Sequence, residues 1–313
     1  MPFTISHLAA AKPLDRLLGQ QLPLVALAVG TMVPDLEFFL RGRIERTIGH
    51  TAHGAVLMGV PLGLAFLAVL SWLIIPAIRA LLPAGADHFG AALERSMATS
   101  GGSWLDPLSL ARIVLALLIG AGSHIVWDVF TQPAATDTAA TVYGSLAWLD
   151  RFQFSIGDAN FALHSLLHWL STAAGLIAVM VAADRWIERN PAPTEASESD
   201  RSVPSITRRI GLTLTGATTV GFLVQHPVAL LGDGPARPSG LSSVLATEAV
   251  WALAGCFVGL AAFGALLRFG ALPTEVTALA RPPDPTRPAD LQPVRDPAAK
   301  VEPPGPRSPK TQR

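Results

Sequence analysis

The chain has 313 residues, of which half are apolar and only 15% are charged, against roughly 25% in an ordinary soluble domain. Its 23 Lys and Arg residues balance 23 Asp and Glu residues, which argues against a nucleic-acid-binding protein, since such proteins usually carry a basic excess. The single cysteine, Cys256, excludes a disulfide framework and any multi-cysteine metal site, so a metal ion would need His and carboxylate ligands. This composition is typical of a membrane protein.

The first 53 residues differ from the rest of the chain. Residues 22–33 are apolar, but this run meets Pro34 and Asp35 before it is long enough to span a bilayer comfortably. Three interpretations are open: a signal-peptide core, a sixth span that ends near Leu40, and a re-entrant or interfacial helix. We favour the third. Asp35 also fits the N-cap position of a helix.

Five later stretches are long and apolar enough to cross a bilayer, which needs about 20 residues. We therefore predict an all-α, polytopic membrane helical bundle of about five transmembrane helices plus the N-terminal re-entrant or interfacial region. Two Gly-x-x-x-Gly motifs, at 59–63 and 255–259, fit close contacts between helices. The predicted spans are residues 54–78, 113–131, 161–183, 210–232 and 241–267.

Most ionisable residues in these spans lie at one side of the predicted membrane, the side of the N-terminal region. Such groups are costly inside a bilayer and usually face a cavity or each other. His124 and Asp128 are four residues apart, so both lie on one face of their helix. Imidazole and carboxylate groups suit Zn²⁺ or a similar divalent ion, with Asp128 either a ligand or an outer-shell partner. The residues on this side are His50, His53, His124, Asp128, His164, His168, His226 and Glu248.

Each of these residues also has a purely structural interpretation. His124 and Asp128 fit a hydrogen-bonded packing pair, and His164 and His168 fit an interfacial position at the start of a span. Glu248 also fits an interfacial position at the start of a span, and His226 fits a position at the end of one. For His53 the structural and the functional interpretation are equally open. His88 lies in a polar loop, and the pattern gives it no partner.

Several segments of the first 183 residues resemble the bacterial membrane family called domain of unknown function 4184. LLHWLSTAAGL at 166–176 is similar to a later stretch of that family. The other matching segments are MPFTISH at 1–7, VGTMVPDLEFF at 29–39, GHTAHG at 49–54, PLGL at 61–64 and GSHIVWDVFTQ at 122–132.

The order of these motifs is also similar to that of inner-membrane metal-dependent hydrolases. That group has an early His, a Pro-Asp-x-Asp, a His-rich turn before a span, and a His-x-x-x-Asp at a span end. The second acid is Glu37 here, and Glu37 or Asp35 is a candidate general base, with Glu37 as our predicted catalytic residue. His53 could replace a histidine that the reduced turn lacks. The resemblance implies metal ligands at His7, Asp35, His50, His124 and Asp128.

The chain divides into four predicted parts. Residues 1–183 form a membrane domain that carries the His/Asp cluster, residues 184–209 a polar linker, residues 210–267 two further transmembrane helices, and residues 268–313 a disordered Pro-rich tail. Most Lys and Arg residues lie on the face of the C-terminus, so the positive-inside rule places that face in the cytoplasm.

Two functions fit these observations. The first is a metal-dependent hydrolase of the bacterial cell membrane that holds a divalent metal, of the Zn²⁺ class by ligand type, and acts on a lipid or lipid-linked ester or phosphoester. The alternative is a non-enzymatic membrane protein: a transporter, a metal handler or an assembly partner. In both cases the partner is the lipid bilayer and not nucleic acid.

Overall fold

The computed structural model describes residues 4–41, 48–82, 89, 106–131, 152–156, 159–189, 205–231 and 241–269. A 3-10 helix, Thr4–Ala10, opens the fold, and a 3-10 turn, Ile48–His50, precedes the first long helix. The remaining elements are α1 (Ala11–Leu17), α2 (Leu24–Gly30), α3 (Val33–Arg41), α4 (Ala52–Leu81), α5 (Pro107–Thr131), β1 (Gln153–Ile156), β2 (Ala159–Ala162), α6 (Leu163–Arg189), α7 (Ser205–Leu231) and α8 (Leu241–Arg268).

Four helices are long and apolar enough to cross a membrane: α4, α5, α6 and residues Glu248–Arg268 of α8. They coincide with four of the five predicted spans. The other predicted span, 210–232, overlaps the 27-residue α7, which is not among the four and carries the charged pair Arg208 and Arg209 near its start. The long helices expose large apolar side chains, as lipid-facing surfaces do. The chain is thus an all-α, polytopic membrane bundle, as predicted.

Helix α4 runs for 30 residues through two wider, π-type turns, Ala55–Gly59 and Leu70–Ile74. Pro61 and Pro76 each follow one of these turns by two residues. A proline inside a helix lacks the N–H for one backbone bond, and its ring clashes with the carbonyl four residues earlier. A wider turn relieves that clash, so α4 continues through both prolines.

The apolar N-terminal run does not form one continuous span. Helix α2 has 7 residues and ends at Gly30, and α3 has 9 residues and begins at Val33 after a turn. Neither approaches the about 20 residues that a span needs. Asp35 lies in the first turn of α3, with its N–H bonded to the carbonyl of Met32 at 3.0 Å. The N-cap interpretation of Asp35 is therefore wrong.

Two glycines allow α2 to cross α5 with backbone against backbone. A Cβ atom on Gly120 would lie 2.5 Å from the carbonyl oxygen of Leu27 and 2.7 Å from the nitrogen of Thr31. Gly30 makes the reciprocal approach from α2. Because His124 is one turn beyond Gly120 on the same face, this crossing brings the Thr31 backbone to His124.

The apolar core of this part of the bundle surrounds that crossing. Helices α2 and α3 pack between α4 and α5, which fixes the short helices although neither is long enough to be stable alone. The buried core residues are Ala26, Leu27, Val29, Val33, Leu36, Leu67, Ile75, Ile113, Ala116 and Leu117.

Both Gly-x-x-x-Gly motifs lie at close helix contacts. A Cβ atom on Gly63 would lie 2.7 Å from a methyl carbon of Leu117 in α5. In α8, Gly255 and Gly259 face α7, and Thr218 of α7 donates a hydrogen bond to the carbonyl of Gly255 at 2.9 Å. The sequence prediction for these motifs agrees with the packing.

One antiparallel hairpin, β1–β2, precedes α6 within the described residues, and sequence analysis missed it. Gln153 pairs with Ala162, and Ile156 pairs with Ala159. The Gly157-Asp158 dipeptide between two short runs was the available sequence signal.

The predicted linker at 184–209 overlaps the helices at both of its ends, since α6 continues to Arg189 and α7 begins at Ser205. Residues 190–204 and the predicted tail from 270 onward lie outside the described residues.

Helix α5 begins with a side-chain cap. Asp106 accepts a hydrogen bond from the backbone N–H of Ser109 at 2.8 Å, and Pro107 is the first helical residue. Hydrogen bonds from the backbone and side chain of Ser109 hold the pKa of Asp106 below its usual value against the opposing effect of desolvation, and the charge of Arg112 lowers it further by a smaller amount.

We expect Asp106→Ala to lower the melting temperature of the detergent-solubilised protein modestly at pH 7, because the cap is lost. Since the folded-state pKa is lowered, the ionised cap stabilises the protein above the unfolded-state pKa and loses this effect as pH falls through the folded-state pKa. The difference between wild type and Asp106→Ala should therefore shrink below about pH 4. Asp106→Asn, which keeps a hydrogen-bonding cap, is the control. A pH-independent difference would contradict the assignment.

Candidate metal centre

The five predicted ligand residues lie together in one buried pocket. His7 comes from the N-terminal 3-10 helix, Asp35 from the first turn of α3, and His50 from the turn before α4. His124 and Asp128 come from the last two turns of α5. None is more than 6% exposed. Residues far apart in sequence thus meet where the N-terminal helices, the start of α4 and the end of α5 converge.

Two imidazole nitrogens in this pocket each lie close to one oxygen of both carboxylates. The Nε2 atom of His124 lies 3.5 Å from Oδ1 of Asp35 and 3.4 Å from Oδ2 of Asp128. The Nε2 atom of His50 lies 3.3 Å and 3.6 Å from the same two oxygens. Ligands at tetrahedral positions with bonds of about 2.1 Å would be about 3.4 Å apart. Each of these four distances therefore fits a pair of ligands on one divalent ion.

His7 is the fifth residue of the pocket and packs against the ring of His124. The two imidazole rings stack with their centroids 3.9 Å apart, and Nε2 of His7 lies 3.7 Å from Oδ1 of Asp128. Two groups of three residues could each hold a metal ion, with donor atoms within 4.8 Å of one another. They are His7, Asp35 and His124, and His50, His124 and Asp128.

The backbone of α2 fixes the tautomer of His124. Its Nδ1 atom lies 2.8 Å from the carbonyl oxygen of Thr31. A carbonyl oxygen only accepts hydrogen bonds, so Nδ1 carries a proton and Nε2 is the ring nitrogen that faces the pocket. Metal-binding histidines are usually oriented in this way. Because Nδ1 is occupied, His124 has only Nε2 for an ion, so it can serve one of the two groups at a time.

The carboxylate of Asp35 is oriented by a hydroxyl. Thr4 donates a hydrogen bond to Oδ2 of Asp35 at 2.7 Å, and Oδ1 faces His50 and His124. Burial raises the pKa of Asp35, but the charges and hydrogen bonds of His124 and His50 outweigh it and hold that pKa well below the usual value. The ionised carboxylate, the form that binds metals, is thus favoured.

Glu37 faces away from Asp35, because residues two apart on a helix point in different directions. Its Oε2 atom accepts a hydrogen bond from the backbone N–H of Gly49 at 2.8 Å, and its side chain is buried. Gly49 directly precedes His50, so this bond anchors the turn that carries a potential ligand. The catalytic role of Glu37 stays a prediction.

The other titratable residues of the sequence analysis do not join the pocket within the described residues. His53 is exposed, and His164 and His168 are half-buried, with the ring of His168 edge-on to that of Trp169 at 5.4 Å. None of the three belongs to a group that could hold a metal ion. Glu248 is half-buried, and the side chains of His88 and His226 lie outside the described residues.

Sequence analysis missed three residues that support the pocket: Thr4, Thr31 and Gly49. All three lie within the segments that resemble the family, but no spacing rule marks them. Thr31 and Gly49 act through backbone atoms, which every residue type carries, so their side chains give no signal. Only Thr4, three residues before His7, acts through its side chain, so its hydroxyl was the one signal that the sequence could have given.

The fold and the pocket define the class: a polytopic helical membrane protein with a buried His/Asp cluster that could hold a metal ion. The family described as a domain of unknown function (DUF4184) matches residues 1–265, and the chain belongs to this family. No curated protein and no solved structure matches the chain. The family prediction is confirmed, whereas the similarity to metal-dependent hydrolases stays a prediction.

Proposed function

We propose that the protein is a membrane-embedded, metal-dependent hydrolase whose ion is held by the pocket around His124. The observation that carries the proposal is a pair of buried three-residue groups of potential ligands that share His124, with Nε2 of His124 turned inward by the carbonyl of Thr31. This donor set contains no thiolate and suits a Zn²⁺-class divalent ion. The proposed ligands are His7, Asp35, His50, His124 and Asp128.

The charge of the pocket supports an ion. Asp35 and Asp128 place two carboxylates within reach of the same histidines, and both are buried. Two buried negative charges are costly unless a cation compensates them. A divalent ion would supply that charge and Lewis-acid activation of water and of the scissile ester. Glu37 is the proposed general base, with a buried carboxylate bonded to the residue before His50.

The surroundings of the pocket support a lipid or lipid-linked substrate. Val126, Trp127 and Phe130 lie within two residues of Asp128, and each is 39% to 58% exposed. Leu57, two turns beyond His50, is 75% exposed. These apolar side chains belong to membrane-length helices, so an amphiphile in the bilayer would reach the pocket from the side. We place the pocket on the outer side of a bacterial cell membrane, with the C-terminus in the cytoplasm.

A lipid hydrolysis assay tests this proposal. Purified full-length protein in mixed micelles is incubated with phospholipids that carry a fluorescent acyl chain, and the products are separated and quantified. We expect product release that stops on treatment with a metal chelator, returns on addition of Zn²⁺, and falls to background in His124→Ala. His53→Ala, a histidine outside the pocket, should retain full activity.

Other outcomes separate the alternatives. One bound metal per chain without cleavage of carboxylic ester or phosphoester lipids would replace the hydrolase by the non-enzymatic, metal-handling function. A protein that binds no divalent metal at micromolar concentration would reject both the enzyme and the metal site.

A further inference from the structure

The start of α7 meets the ends of α4 and α8 far from the metal pocket. A Cβ atom on Gly211 would lie 2.6 Å from the ring of Phe263 in α8 and 2.8 Å from a methyl carbon of Leu81, the last residue of α4. Helix α4 begins beside His50, so this junction lies at its other end, on the face that the charge distribution predicts to be cytoplasmic. Buried at the junction are Ala77, Ala80, Phe263 and Leu267.

Thr207, in the first turn of α7, has a buried hydroxyl without a partner. The residue is 0% exposed, and its Oγ1 atom makes no hydrogen bond within the described part of the chain. Threonines inside helices normally donate to a carbonyl in the preceding turn, as Thr218 and Thr219 do in the same helix. Thr215 of the same helix also has a buried hydroxyl without a partner, but Thr207 lies in the first turn, where an external acceptor could reach it together with the helix N–H groups.

The two residues that follow Thr207 in α7 are arginines. The Nε atom of Arg208 is buried and has no hydrogen-bond partner among the described residues, and Arg209 beside it is exposed. Neither arginine pairs with a carboxylate in the described ranges. The first four backbone N–H groups of a helix lack partners inside it, and the dipole of the 27-residue α7 adds positive potential at the same place.

We propose that Thr207, Arg208 and the N-terminus of α7 bind the phosphate group of an anionic lipid. Only an anion with several oxygens can accept from a hydroxyl, a guanidinium and helix N–H groups together, and phosphate has this shape. The next apolar residues on α7, Ile210 and Leu212, are 36% and 54% exposed, which places surface for acyl chains directly beside the phosphate position. Basic pockets at the cytoplasmic ends of membrane helices commonly bind such head groups. This inference is independent of the hydrolase.

The test measures lipid binding to purified full-length protein in detergent, by native mass spectrometry and by thermal melting with added lipid. Phosphatidic acid and phosphatidylglycerol should bind and raise the melting temperature, whereas phosphatidylcholine should not. Arg208→Gln and Thr207→Val should each weaken anionic-lipid binding by about tenfold or more. Arg185→Gln and Thr213→Val, which change an exposed arginine and an exposed threonine, are the matched controls and should bind like wild type.

Thr207→Val keeps the side-chain shape and removes a hydroxyl without a partner, so it should fold at least as stably as wild type without lipid. Stabilisation by inorganic phosphate that saturates and blocks lipid binding would retain the phosphate site but overturn a lipid as its source. Equal binding of anionic and zwitterionic lipids, or equal losses in the variants and their controls, would overturn the site.

Discussion

Replacing His124 with alanine is expected to abolish stoichiometric metal binding, because His124 belongs to both groups of potential ligands. Its Nε2 atom lies within 3.5 Å of both pocket carboxylates. His50 also approaches both carboxylates, but it belongs to only one of the two groups. Wild type should contain one metal ion per chain, since Nδ1 of His124 is bonded to Thr31 and cannot hold a second ion.

The same substitution should also destabilise the fold. Asp35 and Asp128 would remain buried but would lose the neighbouring imidazole. Removing one partner of a buried charge pair typically lowers the free energy of unfolding by about 3–5 kcal/mol. In wild type, removing the metal should lower the melting temperature, because a ligand at about 100 times its dissociation constant stabilises by about 2.7 kcal/mol. In His124→Ala, a chelator should have no further effect on the melting temperature.

Metal content by mass spectrometry and melting with and without chelator provide the measurement. Asp128→Asn, which preserves side-chain shape, covers the case in which His124→Ala fails to fold. Thr4→Val should retain the metal but weaken its affinity by about 10–100-fold, because it removes only the bond that orients Asp35. His53→Ala is the control, because His53 is close to His50 in the sequence but is exposed, and this variant should bind metal like wild type. Retention of one tightly bound ion in both His124→Ala and Asp128→Asn would show that the pocket is not the metal site.

The sequence was sufficient for the membrane fold because span length depends on local composition alone. A run of about 20 apolar residues has few alternatives to a membrane helix, and four such runs coincide with membrane-length helices. Residues 210–232 show the limit of that rule, since they form a helix that is not among the most apolar. The hairpin before α6 was missed because a four-residue strand carries little periodic signal.

The pocket was predictable only in part, and for different reasons at each residue. His124 and Asp128 share a helix face through their spacing, and the order of the spans placed His50 on the same side of the membrane. His7 and Asp35 entered only through the family resemblance, because no local pattern links a 3-10 helix and a short helix to residues about 90 to 120 positions later. Which nitrogen of His124 faces the pocket could not be predicted at all, since a backbone carbonyl of α2 decides it.

The contact that decides the tautomer of His124 depends on a helix crossing. The carbonyl of Thr31 reaches Nδ1 of His124 only because Gly30 and Gly120 allow the backbones of α2 and α5 to touch. The packing of these two helices and the orientation of the imidazole are therefore one structural feature. Small residues at such crossings are common in membrane proteins because they permit close backbone approach. In this protein that approach also positions a potential metal ligand.

We therefore expect Gly120→Ala to weaken metal binding although residue 120 has no contact with the ion. The new Cβ atom would lie 2.5 Å from the Leu27 carbonyl and 2.7 Å from the Thr31 nitrogen, and both are backbone atoms of α2 that cannot rotate away. Helix α2 must shift, which should cost about 1–3 kcal/mol of stability, as overpacking typically does. It should also lengthen the Thr31–His124 hydrogen bond and reduce metal affinity by about 10–100-fold.

Gly122→Ala is the matched control, since it adds the same methyl group to the same helix two residues later, where no atom lies within 4 Å of the new Cβ. It should bind metal like wild type and be stabilised by about 0.5–1 kcal/mol, because alanine favours a helix more than glycine does. Metal affinity by competition with a chromogenic chelator and melting in detergent measure both effects. Equal metal affinities in Gly120→Ala and Gly122→Ala would show that the crossing of α2 and α5 does not control His124, and that the imidazole is held in place by the pocket itself.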